Sequence, residues 1–146
     1  MNNENDHIVV AVCTRERPRM LERLIRSFAE MEKPADIRVS LLIVENFHLP
    51  SCENLVRHLS VELDLEVEYV HENRLGVPCA RNRAIDEAEN LGATHLAFVD
   101  DDEWFSPDWL FEIHSFHKKT GSRAIIQGKV ILVFSSSYPE YYRKFY

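Results

Sequence analysis

His95-Leu96-Ala97-Phe98-Val99-Asp100-Asp101-Asp102 is a short apolar run that ends in three adjacent carboxylates. A run of this length and character reads as a strand buried on both faces. Working back from it, Ile8–Cys13 and Ser40–Val44 are runs of the same kind. Leu65, Val67 and Tyr69 alternate with Glu66 and Glu68, the pattern of a strand with one solvated face. Helix-period segments separate these strands. Leu21, Leu24, Ile25, Phe28 and Met31 follow Pro18, with Pro34 just beyond. Leu55, Val56, Leu59 and Leu63 follow Ser51, a candidate N-cap. Ala80, Ala84, Ile85, Ala88 and Leu91 follow Pro78 and end at Gly92, which suits a helix stop. Ser106-Pro107-Asp108 opens a fourth helix carrying Trp109, Leu110, Ile113 and Phe116, ending near Gly121. Arg123–Ile126 and Val130–Phe134 read as further strands around Gly128.

Strands alternating with helices imply βαβ units and an α/β fold with a mostly parallel sheet and flanking helices. Ligands of such sheets bind outside the carboxyl ends of the strands. That rule singles out Thr14–Pro18, Glu45-Asn46, Arg74–Arg81 and Asp100–Asp102. Asp100 and Asp102 share a face if the chain stays extended. Packed carboxylates repel one another, and a bound cation relieves that repulsion. Oxygen donors without paired His or Cys favour Mg²⁺ or Mn²⁺, and Mg²⁺ commonly joins one or two carboxylates to substrate phosphates. The plainer alternative is a solvated acidic turn that caps the next helix. Arg81 and Arg83 fall in the first turns of a helix, where guanidinium groups suit phosphate. A solvated Arg83–Glu87 pair is the competing reading. Thr14, Arg15 and Arg17 could hold a base, ribose or phosphate, and Glu45 or Asn46 could accept a hydrogen bond from a nucleobase or ribose. Turn chemistry alone would also account for Asn46.

The chain has 146 residues and a mass of 17.1 kDa, which fits one domain over 1–146. Apolar residues at 45% and charged residues at 28% are globular values and exclude wholesale disorder. Lys and Arg number 17 against 24 Asp and Glu, leaving a net charge of −7 that argues against a nucleic-acid surface but leaves room for a nucleotide pocket. No run approaches the roughly 20 apolar residues of a transmembrane helix. The acidic, polar N-terminus does not read as a signal peptide. Cys13, Cys52 and Cys79 match no zinc or disulfide spacing, so a reducing, cytoplasmic setting is expected. There is no Gly-rich phosphate loop and no G-x-S-x-G elbow. His114 and His117 sit three apart with no third ligand in view. Trp104, beside the acids, could stack on a sugar.

Together, and in order, these clusters resemble the N-terminal, nucleotide-sugar-binding portion of a family 2 glycosyltransferase with the GT-A fold. Ile8–Thr14 with Arg17-Pro18 is similar to the family's first strand and nucleotide-facing turn. Leu41–Asn46 is similar to its second strand, with Glu45 where an aspartate is common. Gly76-Val77-Pro78-Cys79-Ala80-Arg81-Asn82 resembles its G-x-x-x-A-R-N signature, and Ala97–Asp102 the strand leading to its Asp-x-Asp motif. Gln127–Val130 and the aromatic stretch near Pro139 extend the likeness. The resemblance implies transfer of a sugar from a UDP- or GDP-linked donor to an acceptor hydroxyl, with inversion. It places Asp102 and Asp100 on a divalent metal and near ribose or diphosphate. Arg81 would approach diphosphate or base, and Thr14, Arg17, Glu45, Asn46 and Asp101 would serve the substrate.

The family's catalytic base comes from the half after the Asp-x-Asp strand. That acceptor-binding part is expected to be missing here, and Glu140, with no motif around it, is not nominated. The chain is therefore expected to be a truncated piece, a gene fragment or a degenerate paralogue. The alternative function is a non-catalytic GT-A-like module acting in nucleotide binding or as a homo-oligomer, since a half domain exposes apolar surface. Other aspartate-based phosphoryl or nucleotidyl transferases fit poorly, because Thr14–Arg17 replaces a Gly-rich loop and Trp104 stands where a phosphatase has Thr or Val. A membrane-proximal role follows only by analogy with polysaccharide-building members.

Overall fold

The computed structural model describes residues 6–120, 125–128, 130 and 131. Its elements alternate as the pattern predicts: β1 (His7–Thr14), α1 (Pro18–Glu30), β2 (Arg38–Glu45), α2 (Glu53–Glu62), β3 (Val67–His71), α3 (Val77–Asn90), β4 (His95–Asp100) and α4 (Trp109–Thr120). The four strands form one parallel sheet in the order β3-β2-β1-β4. The chain therefore runs outward from β1 through β2 to β3, then returns to the other side of β1. That reversal creates a switch point between β1 and β4, where open α/β sheets bind ligands.

Two-residue periodicity sorts the strand side chains between two layers. Ile8, Val10, Val12, Leu41 and Ile43 join Leu21, Leu24, Ile25 and Phe28 of α1 and Val56 and Leu59 of α2. Val9, Ala11, Leu42 and Val44 face Ala80, Ala84 and Ala88 of α3. Large side chains fill the first layer. In the second, the alanine stripe suits close packing of α3 on the sheet, which sets the depth at which its first turn meets the strand ends. Each large side chain fully withdrawn from water contributes about 1.5–3 kcal/mol.

Several details differ from the sequence reading. Among the described residues β4 is the edge of the sheet, Val99 is its one buried residue and Phe98 is 40% exposed. β3 covers both faces, since Val70 is buried against α3 while Val67 and Tyr69 pack toward α2. Ile85 is exposed and does not join the alanine stripe. Ser51 does not cap α2; Cys52 holds that position and the Ser51 hydroxyl turns to Glu45. α4 starts at Trp109, after a turn in which the Trp109 N–H donates to the Ser106 carbonyl. Ile125, Ile126, Val130 and Ile131 are not in strands, and the remainder of both expected strands, with Pro139 and Glu140, lies outside the described residues.

The chain divides into two compact units, Met1–Glu112 and Ile113–Tyr146. The first holds the sheet, α1–α3 and the start of α4. In the second, the described residues are the rest of α4 and the irregular segments near Ile125 and Val130. Among the described residues, no helix is long and apolar enough to cross a membrane.

Glycines punctuate α3 at both ends. Gly92, at φ +73°, closes a Schellman cap in which Ala93 donates to the Ala88 carbonyl and Gly92 to that of Glu89. Gly76 opens the helix at φ 131° and ψ 143°, a region essentially reserved for glycine. A Cβ there would meet only the Pro78 ring at 3.7 Å, an ordinary contact, so the obstacle is backbone strain. Gly76→Ala is expected to lower stability by about 1–3 kcal/mol in urea unfolding.

Candidate active site

Strand register assembles the site. Thr14 lies opposite Glu45, Glu45 opposite His71, and Cys13 opposite Asp100. The carboxyl ends of β1, β2, β3 and β4 thus share one rim. The polar residues on it fall into two sets, one turned into the protein and one turned outward.

Asp101 belongs to the first set. It is buried, taking a hydrogen bond from the Thr14 hydroxyl at 2.8 Å on one oxygen and from the Arg17 guanidinium at 2.9 Å on the other. Glu45 is fully buried and accepts from the backbone N–H groups of Ser51 and Cys52, the Ser51 hydroxyl and the Tyr69 hydroxyl. Burial pushes its carboxyl up, but the Ser51 and Tyr69 hydroxyls and the two N–H groups outweigh it and hold the group below the usual carboxylate range. Glu45 thereby anchors the start of α2. Burial first, then the hydrogen bond to Glu45 and the Glu45 charge, drives the Tyr69 phenol well above its ordinary value, so it stays a donor.

Asn46 is also buried. Its amide donates to the carbonyls of Glu72 at 3.0 Å and Arg74 at 2.8 Å, and its oxygen accepts from the Gly76 N–H at 2.8 Å. It stitches the end of β2 to the turn that launches α3. Glu72 is buried beneath the same turn and grips Arg74 by two side-chain bonds and one backbone bond. Those bonds, the guanidinium first, hold its carboxyl at about 2.

The second set faces solvent. The side chains of Asp100 and Asp102 are 72% and 57% exposed, and those of Arg81 and Arg17 are each 52% exposed. Arg81 stands 3.7 Å from Asp100, and Arg17 3.8 Å from Asp102. Such open pairs contribute little to stability. Cys13, between them on β1, has its thiol pushed up to about 11, by burial above all; Arg81 opposes the shift, and Asp100 and Asp101 add to it.

The three acids part into one buried and two exposed. The middle acid is neutralised by Arg17 inside the protein, and Asp100 and Asp102 alone are presented. Among the described residues, no three His, Cys, Asp or Glu side chains form a ready metal cage. Thr14, Glu45, Asn46 and Asp101 all reach the rim, as expected, but their polar atoms bond within the fold. Sequence reasoning missed Glu72 and Tyr69. Glu72 directly follows β3 and obeys the same strand-end rule, and Tyr69 is an inward position of an alternating strand.

Solved structures share this arrangement. S. aureus TarS 1–349 aligns with TM-score 0.65 and 18% identity, over 82% of this chain and 38% of that one. The mannosyltransferase PcManGT from Pyrobaculum calidifontis, in complex with GDP-Man and Mn²⁺, aligns with TM-score 0.64 and 22% identity, over 75% of this chain and 32% of that one. These likenesses establish the GT-A fold. Residues 8–144 match the profile of glycosyl transferase family 2. The succinoglycan biosynthesis protein ExoM of Rhizobium meliloti (strain 1021) is 37% identical over 126 residues, which is 86% of this chain. The chain belongs to glycosyl transferase family 2 and spans 40% of the length of that relative.

The three neighbouring aspartates should respond differently to removal. Asp101→Ala strands the buried Thr14 hydroxyl and frees Arg17, at a cost of about 1–3 kcal/mol. Asp100→Ala and Asp102→Ala should each stay within about 0.5 kcal/mol of the parent. Urea unfolding of the three variants reads the difference.

Proposed function

We propose that this chain is the donor-binding part of an inverting glycosyltransferase. It takes a nucleoside diphosphate sugar, UDP- or GDP-linked, for transfer to an acceptor hydroxyl. The observation that carries the reading is the exposed pair Asp100 and Asp102 at the β1–β4 switch point, flanked by Arg81 and Arg17. A diphosphate fits a rim where two carboxylates and two guanidiniums alternate only if a dication joins it to the acids. The donor set fits Mg²⁺ or Mn²⁺: two hard oxygen ligands, no thiolate, and open positions that substrate phosphates complete. Bound there, the cation would supply Lewis-acid charge to the departing diphosphate.

The chain's own residues do the remaining work. Arg81 and Arg17 would bind diphosphate oxygens and orient the donor. Thr14 and Asp101 would act as positioning groups by fixing Arg17 and the acidic turn. Glu45 and Asn46 would do the same for the loops after β2 and β3. No residue of this chain is assigned as the base that deprotonates the acceptor. TarS has been captured with UDP and PcManGT with GDP-Man and Mn²⁺, which supports both donor class and metal. The ExoM likeness supports a role in polysaccharide biosynthesis. The free thiols Cys13, Cys52 and Cys79 suit the reducing, cytoplasmic side.

Calorimetry tests the reading. UDP or GDP should bind in the presence of Mn²⁺ and lose that binding in EDTA. Arg81→Ala should weaken binding roughly 10- to 100-fold while leaving the melting temperature nearly unchanged. Absence of heat with either nucleotide, with Mn²⁺ present, would rule the proposal out.

A further inference from the structure

The turn that carries Asp100 and Asp102 is moulded on one face of α1. Arg23 donates from its guanidinium to the Asp102 carbonyl at 2.9 Å. The same guanidinium lies over the Trp104 ring, 4.2 Å from its centroid. Four residues further along the helix, the Ser27 hydroxyl accepts the Phe105 N–H at 3.1 Å. Residues four apart share a helix face, so one turn of α1 grips both ends of the 102–105 segment. Phe105 then packs edge-on against Phe28 and Trp109. Within the turn, the Glu103 N–H donates to the Asp100 carbonyl, and the Glu103 carboxylate accepts the Asp100 N–H, both at 3.1 Å.

Arg23 is exposed, and so is nearly half of Trp104. A long exposed side chain ordinarily keeps its rotamer freedom. Here two restraints act on one planar group, which a guanidinium can satisfy at once and an ammonium cannot. The restraints fall on the backbone from the Asp102 carbonyl to the Phe105 N–H, which fixes the segment that Asp102 leads into. We infer that Arg23, stacked on Trp104, is a positioning residue that holds Asp102 in its presented conformation, so that the acids meet a dication and diphosphate without first being ordered. This rests on the donor-binding reading above. It adds two residues, neither touching the ligand, that tune that site through the backbone.

The test pairs hydrogen exchange with calorimetry on the parent chain, Arg23→Ala, Arg23→Lys and Trp104→Phe. In R23A the Glu103 and Phe105 amides should exchange about tenfold faster. Binding of UDP or GDP with Mn²⁺ should weaken about tenfold, the usual scale for a group supporting a metal ligand. Thermal midpoints should stay close to the parent's, as expected of an exposed position. R23K keeps a donor for the carbonyl but loses the planar stack, and should fall between. W104F keeps a ring and should stay near the parent. Unchanged amide exchange in R23A overturns the inference whatever the nucleotide does. Faster exchange with unchanged Mn²⁺-dependent binding overturns it too, because order in the turn would then not matter to the ligand. Absence of any nucleotide binding by the parent chain overturns the donor-binding reading itself, and with it the role given to Arg23.

Discussion

Asp101 gives both carboxylate oxygens to the protein, one to the Thr14 hydroxyl and one to Arg17. That interaction joins the ends of β1 and β4 with the start of α1. Its consequence is geometric. Asp101 and Asp102 form a turn closed by the Glu103 N–H on the Asp100 carbonyl, and in it the Asp101 side chain is buried while those of Asp100 and Asp102 stay exposed. It is also electrostatic. Arg17 neutralises the one acid that is buried, so the fold does not carry an uncompensated charge. The remaining two acids stay in water, where their repulsion is weak until a cation and an anion arrive together.

The same economy recurs along the rim. Glu45 draws four donors around itself and fixes the entry to α2. Asn46 and Glu72 fix the entry to α3, with Gly76 supplying a backbone conformation no other residue adopts easily. The buried side chains of Asp101, Glu45, Asn46 and Glu72 are each bonded to loop backbone or to a neighbouring side chain. Loops that might otherwise wander are therefore tied to strand ends, and the exposed arginines and aspartates project from a rigid base. Sites on rigid supports lose less entropy when a ligand binds.

Much of this was legible beforehand. Continuous apolar runs at Ile8–Cys13 and Ser40–Val44 read as strands buried on both faces, and the alternation of strands with helices implied a mostly parallel sheet. The strand-end rule found Thr14, Arg17, Glu45, Asn46, Arg81 and the three aspartates. It could not say which of them look inward, because that depends on register between strands far apart in sequence. Thr14 meets Asp101 across 87 residues, and Asn46 meets Gly76 across 30. β4 misled for a related reason: its composition is that of a core strand, but among the described residues it lies at the edge of the sheet, with Phe98 40% exposed. Trp104 stood out only for its place beside the acids, as a residue to stack on a sugar; its stacking with Arg23, which carries no motif, is visible only in space.

The central claim is a division of labour within Asp100–Asp102: the middle acid belongs to the fold and the outer two to the ligand. A crystal structure of the chain soaked with Mn²⁺ and UDP or GDP tests it most directly. The account predicts the cation bound by Asp100, Asp102 or both together with diphosphate oxygens, and Asp101 still held by Thr14 and Arg17. A cation bound through Asp101, released from those partners, or one seated away from this rim altogether, would contradict it.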